Sequence, residues 1–349
     1  MSNTADPSRI LEIGFGFLSS KVLLTATKLE VFTILGVGLG SAVENRSMTG
    51  AELGAALDFH PRGIYDFFDC LVALGFLYRE GSGTSGRYRN TEATAQFLDK
   101  NQPGYMGGIL EMSNDRFFKF WNDLEPALKT GKPQNETNHG QKPLFETLYA
   151  DPALLEQYVN GISSFSRGHS QAFAAKFDFS NYQTLCDVGG SAGLLCELVA
   201  KQHPHIQCLT FDLPPLELIA KKAIARAGLT DRIRVISGDF FNEALPKADV
   251  ITMGLILHDW NLEKKKHLIR LAYEALSEHG AFIAIENIID DDRRENTFGL
   301  MSSLTILLET GDGFDFTGAD FWNWCQEAGF KRYEVLHLVG PCSAAIAYK

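Results

Sequence analysis

Residues 184–193 read TLCDVGGSAG, and LLCELVA at 194–200 follows without a break. An apolar run (Leu185, Cys186, Val188) that ends in glycines and passes straight into a second apolar segment predicts a buried strand, a tight turn and a helix start. Gly189, Gly190 and Gly193 tolerate φ > 0 and let a ligand approach the backbone with no Cβ in the way. The free N–H groups that open the next helix then face whatever lies above the strand. Open α/β sheets bind nucleoside cofactors at such turns, although a plain strand-to-helix connection has the same local pattern. A second strand, QCLTFD at 207–212, tips the balance. It ends in Asp212, spaced to accept hydrogen bonds from both ribose hydroxyls as in the dinucleotide-binding pattern.

Downstream the α/β alternation is steady. A helix is expected at 216–227, a strand at 233–236 that runs into SGDF, and another strand at 250–253. An amphipathic helix at 261–277, a strand at 281–285 and a helix at 321–328 follow, and segments 332–338 and 343–347 are spaced to close the sheet as a hairpin. The fold class is α/β: a mostly parallel, doubly wound, Rossmann-like sheet covered on both faces. Gly189, Asp212, Asp239, His258 and Glu286 each follow one strand, which puts them on one edge of the sheet. That convergence outweighs any single motif.

Upstream, residues 49–98 form a separate unit of helix, helix, strand, loop (GSGTSG) and strand, which is a winged helix. Its second helix carries Asp66, Phe67, Phe68, Asp69 and Cys70, with Arg62 as its only base. A recognition helix needs exposed Arg, Lys, Asn or Gln to read base edges, so a structural or dimer-forming role is preferred to DNA binding. Residues 10–39 carry apolar side chains at helical spacing and are expected to bury against another surface, such as a second subunit. The domain break is placed after residue 105, with 106–180 as helical linkage and pocket lining. Trp121, Leu124 and Leu128 form one stripe there, and Asp151-Pro152 starts a new helix. Phe165 and Trp121 read first as core aromatics and second as pocket walls.

Composition bounds the partners. The chain has 349 residues and a formal charge of −11, which argues against nucleic acid and anionic membranes. Its six cysteines form no CxxC pair, as expected of buried thiols in a reduced, cytoplasmic protein. Asp6, Arg9 and Glu12 do not fit a signal peptide, and Lys21, Lys28 and Glu30 are expected to break any membrane span. His203 and His205 flank Pro204 in a turn, and no metal site is expected.

Several segments together carry a family resemblance over essentially the whole chain. They are the winged-helix unit, W-x2-L-x3-L-x-T-G from Trp121 to Gly131, DVGG at 187–190, FDLP at 211–214, GDFF at 238–241 and LHDW at 257–260. The chain resembles the S-adenosylmethionine-dependent O-methyltransferases of the plant caffeic-acid and animal hydroxyindole type. The resemblance implies an S-adenosyl-L-methionine cofactor, a small-molecule acceptor and a homodimer that helps close each active site. It assigns Asp187, Gly189, Gly190, Ser191 and Gly193 to the cofactor turn, with Gly189 and Gly190 at the methionine end. Asp212 and Leu213 fall at the ribose, Asp239 at the adenine amino group and Phe240 against the adenine face. His258 becomes the general base and Glu286 the carboxylate that orients it. Asp315 is assigned as the second orienting carboxylate, with Glu309 and Asp312 as rivals. Ser191 replaces the family's third glycine, and Gly254 stands where the plant enzymes have lysine.

The chemistry suits those residues. In-line methyl transfer requires an aligned nucleophile and exclusion of water. A phenol, with a pKa near 10, needs a base at neutral pH, and histidine can supply one. Standing alone, His258 would read as a satisfied histidine at a strand end. Asp259 and Asn261 read as N-caps of the helix that follows, and Lys264, Lys265 and Lys266 as a solvated helix face. The expected activity is O-methylation of an aromatic or polyketide-like acceptor. Three alternatives stay open: C-methylation of a keto acid, a relative that binds the cofactor without methylating, and a winged-helix regulator. Met301 and Leu304 join Phe165 as pocket candidates by family position.

Overall fold

Thr49 illustrates how the N-terminal unit is built. Its hydroxyl accepts from the Glu52 N–H (3.2 Å), and the Glu52 carboxylate accepts from the Thr49 N–H (2.7 Å). This capping box starts the helix Gly50–Ala56. The computed structural model describes residues 6–36, 46–140, 142 and 144–349, in two compact units that divide between Lys119 and Phe120. The sequence reading set the break after residue 105.

In the first unit, β1 (Met48–Thr49), β3 (Arg87–Asn90) and β2 (Leu77–Glu80) form an antiparallel sheet in the order β1-β3-β2. The helix Ile64–Ala73 turns Ile64, Phe68 and Leu71 inward, and Phe68 packs on Tyr88 with ring centroids 5.5 Å apart. Arg62, read as the only base of the second helix, pairs with Asp66. Two further helices, Ser8–Gly14 and Gly16–Lys28, expose Ile10, Leu11, Ile13, Phe15, Phe17 and Leu18. Contrary to expectation, the Ser8–Lys28 stretch is long and apolar enough, by length and composition, to cross a membrane. Lys21 donates to Asn114 Oδ1 (2.7 Å) and Lys28 pairs with Asp115. The end of the expected 10–39 run, from residue 37, lies outside the described residues.

The second unit is a seven-stranded sheet in the order β6-β5-β4-β7-β8-β10-β9. Its strands are β4 (Thr184–Val188), β5 (Gln207–Asp212), β6 (Ile233–Ser237), β7 (Ala248–Gly254), β8 (Leu276–Glu286), β9 (Arg332–Val339) and β10 (Cys342–Tyr348). The four pairings among strands β4 to β8 are parallel, and β10 joins β8 antiparallel as half of the terminal hairpin. Cys186, Val188, Ile251 and Phe282 face one apolar layer, and Leu185, Val250, Ile283 and Ile346 the other. All six cysteines are free thiols, five of them buried.

Asp151 and Pro152 start a helix as read, and three other local readings change. The helix that Asp151 caps and Pro152 opens runs on to Lys176. Leu128 is 61% exposed, so it does not continue the Trp121–Leu124 stripe into a core. The strand expected from 281 begins at Leu276, where the helix Leu262–Ala275 stops. A helix runs over Thr297–Thr310, capped by the Asn296 side chain, where the sequence pattern predicts no element.

Candidate active site

The turn after β4 is closed by backbone. The Gly189 N–H donates to the Phe211 carbonyl (2.8 Å), with Gly189 at φ +72°. A Cβ on Gly189 would strike Ile256. One on Gly190 would strike the Thr210 hydroxyl and lie 2.9 Å from Asp187 Oδ2. Ser191 takes φ +50°, a left-handed conformation unusual for a non-glycine residue. Gly193, at φ +77°, caps the helix Leu194–Gln202.

Asp212 reaches across from the end of β5. Its Oδ2 accepts from the Ser191 N–H (2.8 Å) and its Oδ1 from the Leu213 N–H (2.7 Å), so the three residues are locked together. Burial pushes this carboxyl upward, and the two N–H donors oppose the shift. Asp212, Ser191, Glu217 and Ser237 line one depression at this sheet edge, together with Thr210 and Ile236. Asp187 lies beneath the turn and accepts from Thr252 Oγ1 (2.7 Å). Burial pushes it up to about 7, and Asp212 adds to the effect.

Asp239 and Phe240 are placed differently from the rest. Asp239 is engaged in its own turn, with Oδ1 accepting from the Phe241 N–H (2.9 Å) and Oδ2 from Asn242 Nδ2 (2.6 Å). Phe240 is buried in the core and edge-on to Phe241, which in turn meets Trp260 edge-on at 4.7 Å.

His258 sits in a 3-10 turn, Leu257–Asp259, at the end of β7. Leu255 enters that turn at φ +54° and ties it to β8 by donating to the Ile285 carbonyl (3.0 Å). Glu286, the last residue of β8, fixes the turn: its Oε1 accepts from the N–H groups of Ile256 (3.2 Å), Leu257 (3.0 Å) and His258 (3.4 Å). Its Oε2 lies 3.8 Å from His258 Nδ1, and Asp315 Oδ1 lies 3.4 Å from the same nitrogen. Both carboxylates are buried, and Glu286 Oε2 and both Asp315 oxygens lack a hydrogen-bond partner among the described residues. One donor atom from each of His258, Glu286 and Asp315 falls within a span of 4.8 Å. Two carboxylates against one ring nitrogen favour a proton there.

Burial, the largest influence on His258, disfavours its charge. The surrounding carboxylates of Glu286, Asp259 and Asp315 outweigh it and raise the imidazole to about 10. Glu286 itself is pushed up to about 7 by burial. Of the three acidic residues weighed for the second position, Asp315 is beside His258. Asp312 accepts from Asn261 Nδ2 (2.9 Å), and the Glu309 carbonyl accepts from Asn135 Nδ2 (2.6 Å).

Two readings of this region are corrected. Asn261 caps the helix Leu262–Ala275 through Lys264 N–H (3.1 Å), whereas Asp259 lies 3.5 Å from His258 Nε2 and caps nothing. Lys265 is not on a solvated face. It is fully buried, donates from Nζ to the Trp260 carbonyl, and lies 3.6 Å from the centroid of the Phe314 ring. Its sequence signal was the stripe it shares with Leu268, Ile269 and Ala272, three, four and seven positions on. Among the pocket candidates, Phe165 meets the buried His169 ring edge-on at 5.1 Å, and Met301 is 45% exposed.

The comparisons with known proteins agree with this architecture. An O-methyltransferase domain model matches residues 121–331, and an O-methyltransferase dimerisation domain model matches residues 11–100. The chain is 34% identical over 98% of its length to the tetracenomycin polyketide synthesis 8-O-methyl transferase TcmO of Streptomyces glaucescens, covering 97% of that protein. It is 29% identical over 98% of its length to bovine acetylserotonin O-methyltransferase, again covering 97%. Its structure superposes on human N-acetylserotonin methyltransferase, solved in complex with S-adenosylmethionine, with a TM-score of 0.87 at 27% identity, covering 100% of this chain and 99% of that one. With the dimerisation and methyltransferase domains both matched and the sheet edge built as described, the chain belongs to the S-adenosylmethionine-dependent O-methyltransferases.

Proposed function

We propose that this enzyme methylates a phenolic hydroxyl on a small aromatic or polyketide-like acceptor, with His258 as the general base and Glu286 and Asp315 as the groups that orient it. The observation that carries this reading is the buried imidazole flanked at Nδ1 by two carboxylates. TcmO and the acetylserotonin enzymes, whose names specify a polyketide and a hydroxyindole-type acceptor, support the substrate class.

The residues fit the cofactor. Asp212, braced by two N–H groups, would take the ribose, and the Gly189-Gly190 turn leaves the methionine end clear of Cβ atoms. Asp239 would meet the adenine with a carboxylate already engaged in its own turn, and Phe240 with a buried ring. When bound, S-adenosylmethionine supplies an electrophilic methyl group.

His258 Nε2 accepts the proton of the acceptor hydroxyl while the carboxylates at Nδ1 hold the tautomer and stabilise the imidazolium. An imidazole raised to about 10 matches a phenol near 10 in proton affinity, so its neutral form can take the proton, and the share of that form grows with pH. Asp259 lies on the Nε2 side, so the acceptor hydroxyl must compete with its carboxylate. As part of the same reading, the chain works as a homodimer through the domain at 11–100, whose exposed apolar helices suit a subunit face.

The test is transfer of a labelled methyl group to a panel of phenols, naphthols, hydroxyindoles and keto acids, with cofactor affinity measured separately by calorimetry. His258→Ala is expected to cut kcat about 10²- to 10⁴-fold with cofactor affinity unchanged. Label on carbon, or an unimpaired His258→Ala, would overturn the proposal.

A further inference from the structure

The buried lysine behind His258 has no part in the reaction as described above. Lys265 projects from the apolar stripe of its helix into the core, with no exposed surface. Its Nζ is held between the Trp260 carbonyl and the Phe314 face, 5.9 Å from the centroid of a second ring, Phe316. Lys266, one residue on, pairs with Glu327 at the surface, so the helix does not bury lysines for want of a solvated side. A desolvated ammonium is costly unless opposite charge meets it. Here the opposite charge comes from Glu286 at the end of β8, Asp259 in the 3-10 turn, and Asp312 and Asp315 after the helix Thr297–Thr310. Three of those four carboxylates are the ones around His258.

We infer that Lys265 is a positioning residue for the base: its caged ammonium is a fixed counter-charge that restrains the proton affinity of the His258–Glu286–Asp315–Asp259 cluster. This rests on the reading of His258 as the base. Three carboxylates around one imidazole pull a proton onto the cluster and hold it there, and a proton that cannot leave is useless to a base. A second cation nearby lowers the proton affinity of every group in the cluster, whichever one carries the proton. Burial pulls the Lys265 ammonium down to about 8, so it is charged at and below neutral pH, where that help is needed, and is lost above. The Trp260 carbonyl and the Phe314 face fix its position, by hydrogen bond and cation–π attraction.

The experiment compares kcat/KM for the wild type, Lys265→Met and His258→Ala from pH 6.5 to 9.5. Lys265→Met keeps the shape and removes the charge. Its kcat/KM is expected to fall about tenfold or more at pH 7 and to approach the wild type above pH 9, where the native ammonium is itself neutral. An equal loss at every pH would mean that the side chain only packs, and no loss would mean that its charge is irrelevant. Either result overturns the inference while His258→Ala stays inactive. An active His258→Ala would instead sink the reading beneath it. If Lys265→Met does not fold, the Lys265 ¹³Cε resonance is followed with pH in the wild type and in Glu286→Gln. A lower midpoint in the variant supports the coupling, and an unchanged one overturns it.

Discussion

Glu286 holds His258 at two points: one carboxylate oxygen accepts the histidine's own N–H at 3.4 Å, and the other lies 3.8 Å from its Nδ1. The same oxygen also gathers the N–H groups of Ile256 and Leu257. Backbone geometry and ring electrostatics at the end of β7 therefore depend on a single side chain from β8. Leu255, held at φ +54° immediately before the turn, is the strain that this anchoring offsets.

Glu286→Gln and Glu286→Ala are expected to separate the two roles. Glutamine keeps an oxygen for the three N–H groups but loses the charge at Nδ1, so the fold should survive. The rate should drop roughly 10- to 100-fold, with the acid limb of kcat/KM moved to lower pH because the imidazolium is less stabilised. Alanine leaves buried N–H groups without an acceptor and should cost about 1–3 kcal/mol in addition. Urea titration alongside the pH profile distinguishes the two. A Gln variant as unstable as Ala would mean the charge, not the acceptor, holds the turn.

Asp259→Asn is expected to act in the opposite sense to Lys265→Met. Removing a negative charge 3.5 Å from Nε2 lowers the proton affinity of His258 and removes a competitor for the acceptor hydroxyl. Between pH 6.5 and 7.5, kcat/KM should rise several-fold, while the alkaline plateau falls because the base is weaker. A decrease at both ends of the range would show that Asp259 takes part directly.

The strand ends could be read because β4, β5 and β8 stop at residues unlike their apolar runs: glycine after β4, aspartate at β5, glutamate at β8. Period and punctuation suffice for that. The helix Thr297–Thr310 escaped because TFGLMSSLTILLET has no clear polar face, and only Asn296 and Gly311 mark its ends. Asp259 and Lys265 were misread for a shared reason. An aspartate before a helix looks like a cap, and three consecutive lysines look like a wet surface. Which of three lysines points inward is set by the 100° step of the helix from Leu268 and Ile269, and the composition of the run does not carry it. Asp239 and Phe240 show the converse. Their motif is legible, but the turn at 239–243 takes up both the carboxylate and the ring.

Asp187 should make stability depend on pH. Its folded pKa is raised by burial from the ordinary 3.8 to about 7, so the fold favours the protonated form. That contribution is fully present below about pH 4 and is lost as the pH rises through 7. Asp187→Asn keeps an acceptor for Thr252 Oγ1 and removes the ionisation. Relative to wild type it should therefore lose about 1–3 kcal/mol less stability between pH 4 and pH 8, read from urea midpoints. Parallel curves for the two proteins would mean that Asp187 does not change its protonation in this range.

Gly190→Ala tests the turn itself. An added Cβ would meet the Thr210 hydroxyl and approach Asp187 Oδ2 to 2.9 Å, and both neighbours are buried side chains of the central strands that cannot swing out to solvent. The backbone must shift instead, and the Ser191 N–H that braces Asp212 shifts with it. Cofactor affinity should therefore fall tenfold or more by calorimetry, even though the new methyl group is small. Thr210→Ala removes the first obstacle, and the double variant should recover part of the loss. Such recovery is the non-additivity expected of two side chains in contact. If Gly190→Ala binds S-adenosylmethionine as tightly as the wild type, the turn after β4 is only a connection between strand and helix.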